Sequence, residues 1–157
     1  MQTIKKEGYI EGDLIIEGNL ELTEYLNVSG YIRVSGYIDC KGYSIESGDS
    51  IKAGDYINAG GSIKAGDYIN AGGSIKAGDS ILAQLWITAK STIDAGIYIY
   101  AGLVTWRKRV EGDMEITCSK LLNGSVEFGK LIETGVEKSK NPKEIIIEGA
   151  TYILKQQ

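Results

Sequence analysis

Ser50-Ile51-Lys52-Ala53-Gly54-Asp55-Tyr56-Ile57-Asn58-Ala59-Gly60-Gly61 is followed by the same twelve residues at 62–73, without a change. Each half of this unit sets an isoleucine, a small residue two positions later, and then glycine: Ile51-Lys52-Ala53-Gly54 and Ile57-Asn58-Ala59-Gly60. Residues at i and i+2 point to one side of a β-strand. Each half therefore reads as a short strand with Ile and Ala inward, closed by a glycine corner where backbones come close or φ turns positive. Outward from this segment, the anchor recurs every six residues at Leu14, Leu20, Leu26, Ile32 and Ile38. After a one-residue insertion near Tyr43-Ser44 it resumes at Ile45 and continues every six residues to Ile99, fifteen hexads in all. The smaller row runs through Val28, Val34 and Cys40, and is alanine from Ala53 to Ala101. On a helix, anchors six apart would advance about 600° and never form one stripe.

The sequence period is twelve, but a two-sided coil of twelve would stack Lys52, Lys64 and Lys76 at about 4.8 Å, the spacing of adjacent strands. Asp55, Asp67 and Asp79 would stack likewise, and like charges directly opposite destabilise a sheet. A three-sided coil instead sets Lys52 beside Asn70 and Thr88, and Asn58 beside Lys76 and Asp94. The expected fold is all-β: a parallel β-solenoid, a triangular β-helix of about 18 residues per coil. Residues 14–102 form the solenoid, with five coils from the fifteen hexads, and 1–13 supply a short strand leading into it. Residues 103–157, where the hexad phase is lost, are expected to form a β-rich C-terminal cap or oligomerisation segment. There Met114, Ile116 and Cys118 alternate, Asn123-Gly124 signals a hairpin turn, and Ile145-Ile146-Ile147 and Tyr152 lie in a strongly apolar last strand or hairpin. Ile145, Ile146, Ile147 and Tyr152 are the candidate oligomerisation residues, because that run wants burial on both sides.

In a triangular coil the residues just before the anchors form three outward columns. One carries Tyr31, Ser50, Tyr68 and Trp86; a second Tyr37, Tyr56, Ser74 and Thr92; a third Tyr25, Ser44, Ser62, Ser80 and Tyr98. The residues after the anchors give a mildly basic side (Arg33, Lys52, Asn70) and a mildly acidic one (Glu21, Asp39, Asn58, Lys76, Asp94). Trp106-Arg107-Lys108-Arg109 is the one basic cluster. An arginine-flanked tryptophan can anchor a partner or cover the open end of the core. The candidate partner-binding residues are Tyr56, Tyr68, Trp86, Tyr98, Trp106, Arg107, Lys108 and Arg109.

Composition narrows the chemistry. The chain of 157 residues has 21 Gly, 1 Pro, 2 Cys and no His, which excludes Ser–His and Cys–His nucleophiles and histidine zinc sites. A net charge of −4 argues against broad nucleic-acid or anionic-lipid binding. Cys40 and Cys118 have no CxxC neighbour and sit at inward positions, as reduced core thiols would. One Gly–Asp corner per twelve residues is a sparse ligand supply for calcium, so no metal and no cofactor is expected. No N-terminal apolar region and no long apolar window point to a cytoplasmic protein without a membrane span.

The run IRVSGYIDCKGYSIESGDSIKAGDYINAGG resembles β-solenoid proteins, hexapeptide-repeat proteins first. It departs from the hexapeptide acyltransferases, which set their small residue four positions after the aliphatic one and usually depend on a histidine. Its I-x-A-G-D-x-I cadence is more similar to the bactofilins, polymer-forming scaffolds with a triangular β-helix. That resemblance implies self-assembly and a scaffold role. The expected function is a non-enzymatic β-solenoid scaffold or protein-binding module that self-associates as a homo-oligomer or binds a protein partner. The alternative is a phage-borne inhibitor that blocks a nucleic-acid-handling enzyme.

Overall fold

The computed structural model describes residues 8–104 and 106–135, together with the backbone of 144–147 and 150–153. The first coil is β1 (Gly8–Ile10), β2 (Leu14–Ile16) and β3 (Leu20–Glu21), and the second is β4 (Leu26–Val28), β5 (Ile32–Val34) and β6 (Ile38–Asp39). The third is β7 (Ile45–Ser47), β8 (Ile51–Ala53) and β9 (Ile57–Ala59), and the fourth is β10 (Ile63–Ala65), β11 (Ile69–Ala71) and β12 (Ile75–Ala77). β13 (Ile81–Ala83), β14 (Ile87–Ala89) and the long β15 (Thr92–Ala101) follow. Every third strand pairs in parallel: Ile63 with Ile45 and Ile81, Ile69 with Ile51 and Ile87, Ile75 with Ile57 and Ile93. Eighteen residues therefore make one coil, and the solenoid is three-sided. The first face holds β1, β4, β7, β10 and β13, the second β2, β5, β8, β11 and β14, and the third β3, β6, β9 and β12.

The anchors form continuous buried columns from Leu20 and Leu26 to Ile99, with the alanine row beside them. Fully burying an isoleucine is worth about 1.5–3 kcal/mol, so these columns are the principal stabilising term. The one-residue insertion is absorbed at the corner Lys41–Ser44, where Lys41 takes φ 48° and the Tyr43 N–H donates to the Cys40 carbonyl at 2.9 Å. Phase is thereby restored, and Ile38 sits against Ile57. Cys40 and Cys118 are free and buried. Burial pushes the Cys40 thiol up to about 12.

Beyond Gly102 the chain is β-rich, as expected, and its strands extend the solenoid. After an excursion over 103–114, β16 (Glu115–Cys118), β17 (Lys120–Phe128) and β18 (Lys130–Glu133) continue the parallel ladders, with Ile116 on Ile87, Leu121 on Ile93, Val126 on Ile99 and Leu131 on Ile116. The second face thus has seven strands rather than the five that the hexads supply. The last coil spans fewer residues because its anchors Ile116, Leu121, Val126 and Leu131 follow one another at five residues and not six, and β17 runs through the corner between the third and first faces as one strand with bulges against β15. Asn123-Gly124 is one of these corners and not a hairpin turn. Gly124 has φ +106°, and a left-handed glycine serves a bulge as readily as a turn. β19 (Glu144–Ile147) and β20 (Ala150–Ile153) form a separate antiparallel pair in which Ile145 faces Tyr152.

Candidate functional site

The corner between the first and second faces brings together Tyr31, Tyr68, Trp86 and Trp106 with the charged groups of Asp49, Asp67 and Arg107. It is built from Gly30-Tyr31, Gly48-Asp49-Ser50, Gly66-Asp67-Tyr68 and Gln84-Leu85-Trp86, one segment per rung. Strand pairing fixes the rung spacing, so side chains before the anchors are stacked by the backbone itself. Tyr68 and Trp86 lie with ring centroids 4.8 Å apart and planes 5° from parallel. The excursion 103–114 leaves the first face and returns to the second, which sets it at this same corner. The Trp106 Nε1–H donates to Gln84 Oε1 at 3.0 Å.

Asp113, only 2% exposed, braces the excursion from within. Its carboxylate accepts both guanidinium arms of Arg107 at 2.7 and 2.8 Å and the Val110 N–H at 2.7 Å. The Arg107 hydrogen bonds come first, and with that N–H they hold the Asp113 carboxyl below the usual carboxylate range. Arg107 also lies over the Trp106 ring, 5.1 Å from its centroid. Burial, and then the neighbouring charge of Asp49, raise the carboxyl of Asp67.

Tyr68, Trp86, Trp106 and Arg107 are thus brought together at one corner. Tyr56 stands at the corner between the second and third faces, stacked on Tyr37 at 4.7 Å. Tyr98 stands at the remaining corner, 43% exposed, edge-on to Tyr100 at 6.1 Å. Lys108 is exposed, and Arg109 lies over the Phe128 ring at 4.9 Å. Ile145, Ile146, Ile147 and Tyr152 lie in the β19–β20 pair, whose side chains fall outside the described residues. Sequence reading missed Asp113 and Gln84. Nothing in the pattern marks them, because their partners come from an excursion with no repeat phase.

The acidic side of the solenoid is largely neutralised from within. Glu21 accepts from the Tyr37 hydroxyl at 2.6 Å and pairs with Lys41 at 3.7 Å. That hydrogen bond to Glu21 is the main cause that carries the Tyr37 phenol up to about 12. Asp39 accepts from Asn58 at 3.0 Å, and Asp94 accepts from Asn123 at 3.0 Å and pairs with Lys76 at 3.8 Å. The corner aspartates are dispersed: Asp13, Asp49 and Asp67 lie on separate rungs of the corner between the first and second faces, while Asp55 and Asp79 stand at the other two. Among the described residues no group of three or more Cys, Asp or Glu could hold a metal ion. No helix is long and apolar enough to cross a membrane.

Chemically, this corner offers stacking surfaces, cations and carboxylates on a rigid frame. No protein-family model, no curated protein and no solved structure matches the chain.

Proposed function

We propose that the chain is a non-enzymatic scaffold: a rigid solenoid that self-associates and presents its aromatic corner to a protein partner. The observation that carries this reading is the state of its ends. Among the described residues, the outer edges of β1, β2 and β3 at one end and of β18 at the other pair with no strand. Open edges on a parallel solenoid template further pairing unless another chain or segment covers them. On the first coil Tyr9 and Ile15 also point outward, 64% and 58% exposed. The resemblance of the I-x-A-G-D-x-I cadence to the bactofilins supports the same role.

Light scattering of the full chain across a concentration series tests the reading. A dimer or larger assembly is expected, shifted towards monomer by Ile146→Lys. A monomer at every concentration, together with no protein captured from lysate by the immobilised chain, would overturn it. Capture of a nucleic-acid-handling enzyme by a monomeric chain would favour the inhibitor alternative instead.

A further inference from the structure

The aromatic column at the corner of the first and second faces has a vacancy one rung deep. Tyr31 and Tyr68 stand two rungs apart, and the rung between them carries Ser50. These three side chains line a cleft of about 460 Å³ with Arg33, Lys52, Asp49 and Asp67. Two rungs separate the tyrosines by about 9.6 Å, twice the strand spacing. A flat ring placed over Ser50 would then lie near 4.8 Å from each tyrosine, the centroid distance that Tyr68 and Trp86 already show. The other columns have no such slot: Tyr37 and Tyr56 stack directly, and three serines separate Tyr25 from Tyr98.

Arg33 pairs with Lys52 in the parallel register of β5 and β8, so two exposed cations stand side by side on adjacent strands. Like charges so placed repel. The coils elsewhere relieve such contacts: beside the Glu21 and Asp39 pair, the Lys41 ammonium pairs with Glu21 and the Lys41 backbone N–H donates to Asp39. Among the described residues the ion pairs are Lys41–Glu21, Lys64–Glu46, Lys76–Asp94 and Arg107–Asp113, and neither Arg33 nor Lys52 takes part. Each cation lies two residues after a slot residue, Arg33 after Tyr31 and Lys52 after Ser50. Two residues of strand span about 6.6 Å, similar to the reach from a nucleobase to its 5′-phosphate.

We propose that this slot binds a nucleoside 5′-phosphate, with its base between Tyr31 and Tyr68 and its phosphate on Arg33 and Lys52. Every base presents a π-face, and paired cations suit a phosphate. On the far side of the slot, Asp49 and Asp67 can only accept hydrogen bonds when ionised. They favour a base edge with adjacent ring N–H and amino donors, as in guanine, over adenine, whose ring nitrogen beside the amino group is an acceptor. This proposal is independent of self-association. The ligand is a free nucleotide, not a nucleic-acid polymer, so the acidic net charge does not oppose it.

Calorimetric titration of the full chain with GMP is the test, with AMP, guanosine and inorganic phosphate as further arms. GMP is expected to bind saturably and more tightly than the other three. Equal binding of AMP would overturn the role given to Asp49 and Asp67. Ser50→Tyr rebuilds the Gly-Asp-Tyr-Ile sequence found at 66–69 and fills the slot with a third ring. That variant should melt no lower than the parent and lose GMP binding. Arg33→Gln and Lys52→Gln should each weaken binding about tenfold, the loss of one charge-assisted hydrogen bond, and these variants serve if Ser50→Tyr does not fold. No saturable heat in the millimolar range, or binding that survives Ser50→Tyr in a folded protein, overturns the proposal. So would a protein partner captured by the parent and lost in Ser50→Tyr, which would give the slot to a partner's aromatic side chain.

Discussion

Gly72→Ala should lower the melting temperature by about 5–15 °C, through close approach of stacked rungs and not through backbone conformation. The φ of Gly72 is not positive, so an alanine could adopt it. The obstacle is the rung below, where a Cβ on Gly72 would fall well inside contact distance of the Gly54 carbonyl oxygen. That carbonyl cannot withdraw alone, because the Gly72 N–H donates to Ala53 O at 3.1 Å and the Gly73 N–H to Asp55 O at 2.9 Å. Relief requires the two rungs to part at this corner. Losing two backbone hydrogen bonds costs about 1–3 kcal/mol, and loosened contact of Ala71 with Ala53 brings the total to about 2–4 kcal/mol. For a chain of this size each kcal/mol is worth about 2–4 °C. Gly42 is the control: it too lacks a positive φ, and no atom lies within 4 Å of where its Cβ would stand. Gly42→Ala should stay within about 0.5 kcal/mol of the parent, because reduced freedom of the unfolded chain offsets small losses. Thermal unfolding followed by circular dichroism measures both. Equal melting of Gly72→Ala and the parent would refute the close-approach argument, and equal losses in the two variants would show that corner glycines act through conformation.

Three further outcomes follow from the side chains. Because the Asp113 carboxyl is depressed in the folded chain, its stabilisation is fully present above the ordinary value of 3.8 and is lost as pH falls below it. Asp113→Asn should mimic that loss at neutral pH, and trypsin should then cut at Arg107, Lys108 and Arg109 many times faster than in the parent; unchanged cleavage would count against the brace. The Tyr37 phenol should ionise near 12 in an alkaline ultraviolet titration, and Glu21→Gln should bring it down towards 10.0 by replacing a charge-assisted hydrogen bond with a neutral one and removing the adjacent negative charge. Cys40 and Cys118 should resist a thiol reagent at mildly alkaline pH until denaturant is added, since burial disfavours both thiolates; labelling of the folded chain would show that the core opens at these rungs.

Much of the architecture was legible because a solenoid is close to one-dimensional. Each hexad repeats one local instruction (anchor, small residue, glycine), and up to β12 each strand pairs only with the strands three before and after it. The choice of eighteen residues per coil over twelve also followed from charge, although that argument holds unevenly. Lys52 does lie beside Asn70, yet Arg33 lies beside Lys52 and Glu21 beside Asp39. The chain tolerates those contacts through side chains the repeat does not specify, such as Lys41 for the acidic pair. Past Gly102 the hexad gives way to a step of five residues between Ile116, Leu121, Val126 and Leu131, so the six-residue period does not extend to the coil that these strands build. Leu121, Val126 and Leu131 keep the stack although they break the hexad.

The strand, its inward face, the three-sided coil and the order of the outward columns follow from period and polarity, which decide which side of a strand is buried. Only the tertiary structure decided that residues 115–133 continue the solenoid, that Asp113 holds the excursion through Arg107, and that Trp106 docks on Gln84. Those contacts follow no repeat spacing, and Trp106 meets Gln84 only where the excursion lies against the stacked coils. The gap at Ser50 lies between the two cases. Its column could be written from the sequence, but the cleft of about 460 Å³ between Tyr31 and Tyr68 exists because parallel pairing holds their rungs two spacings apart.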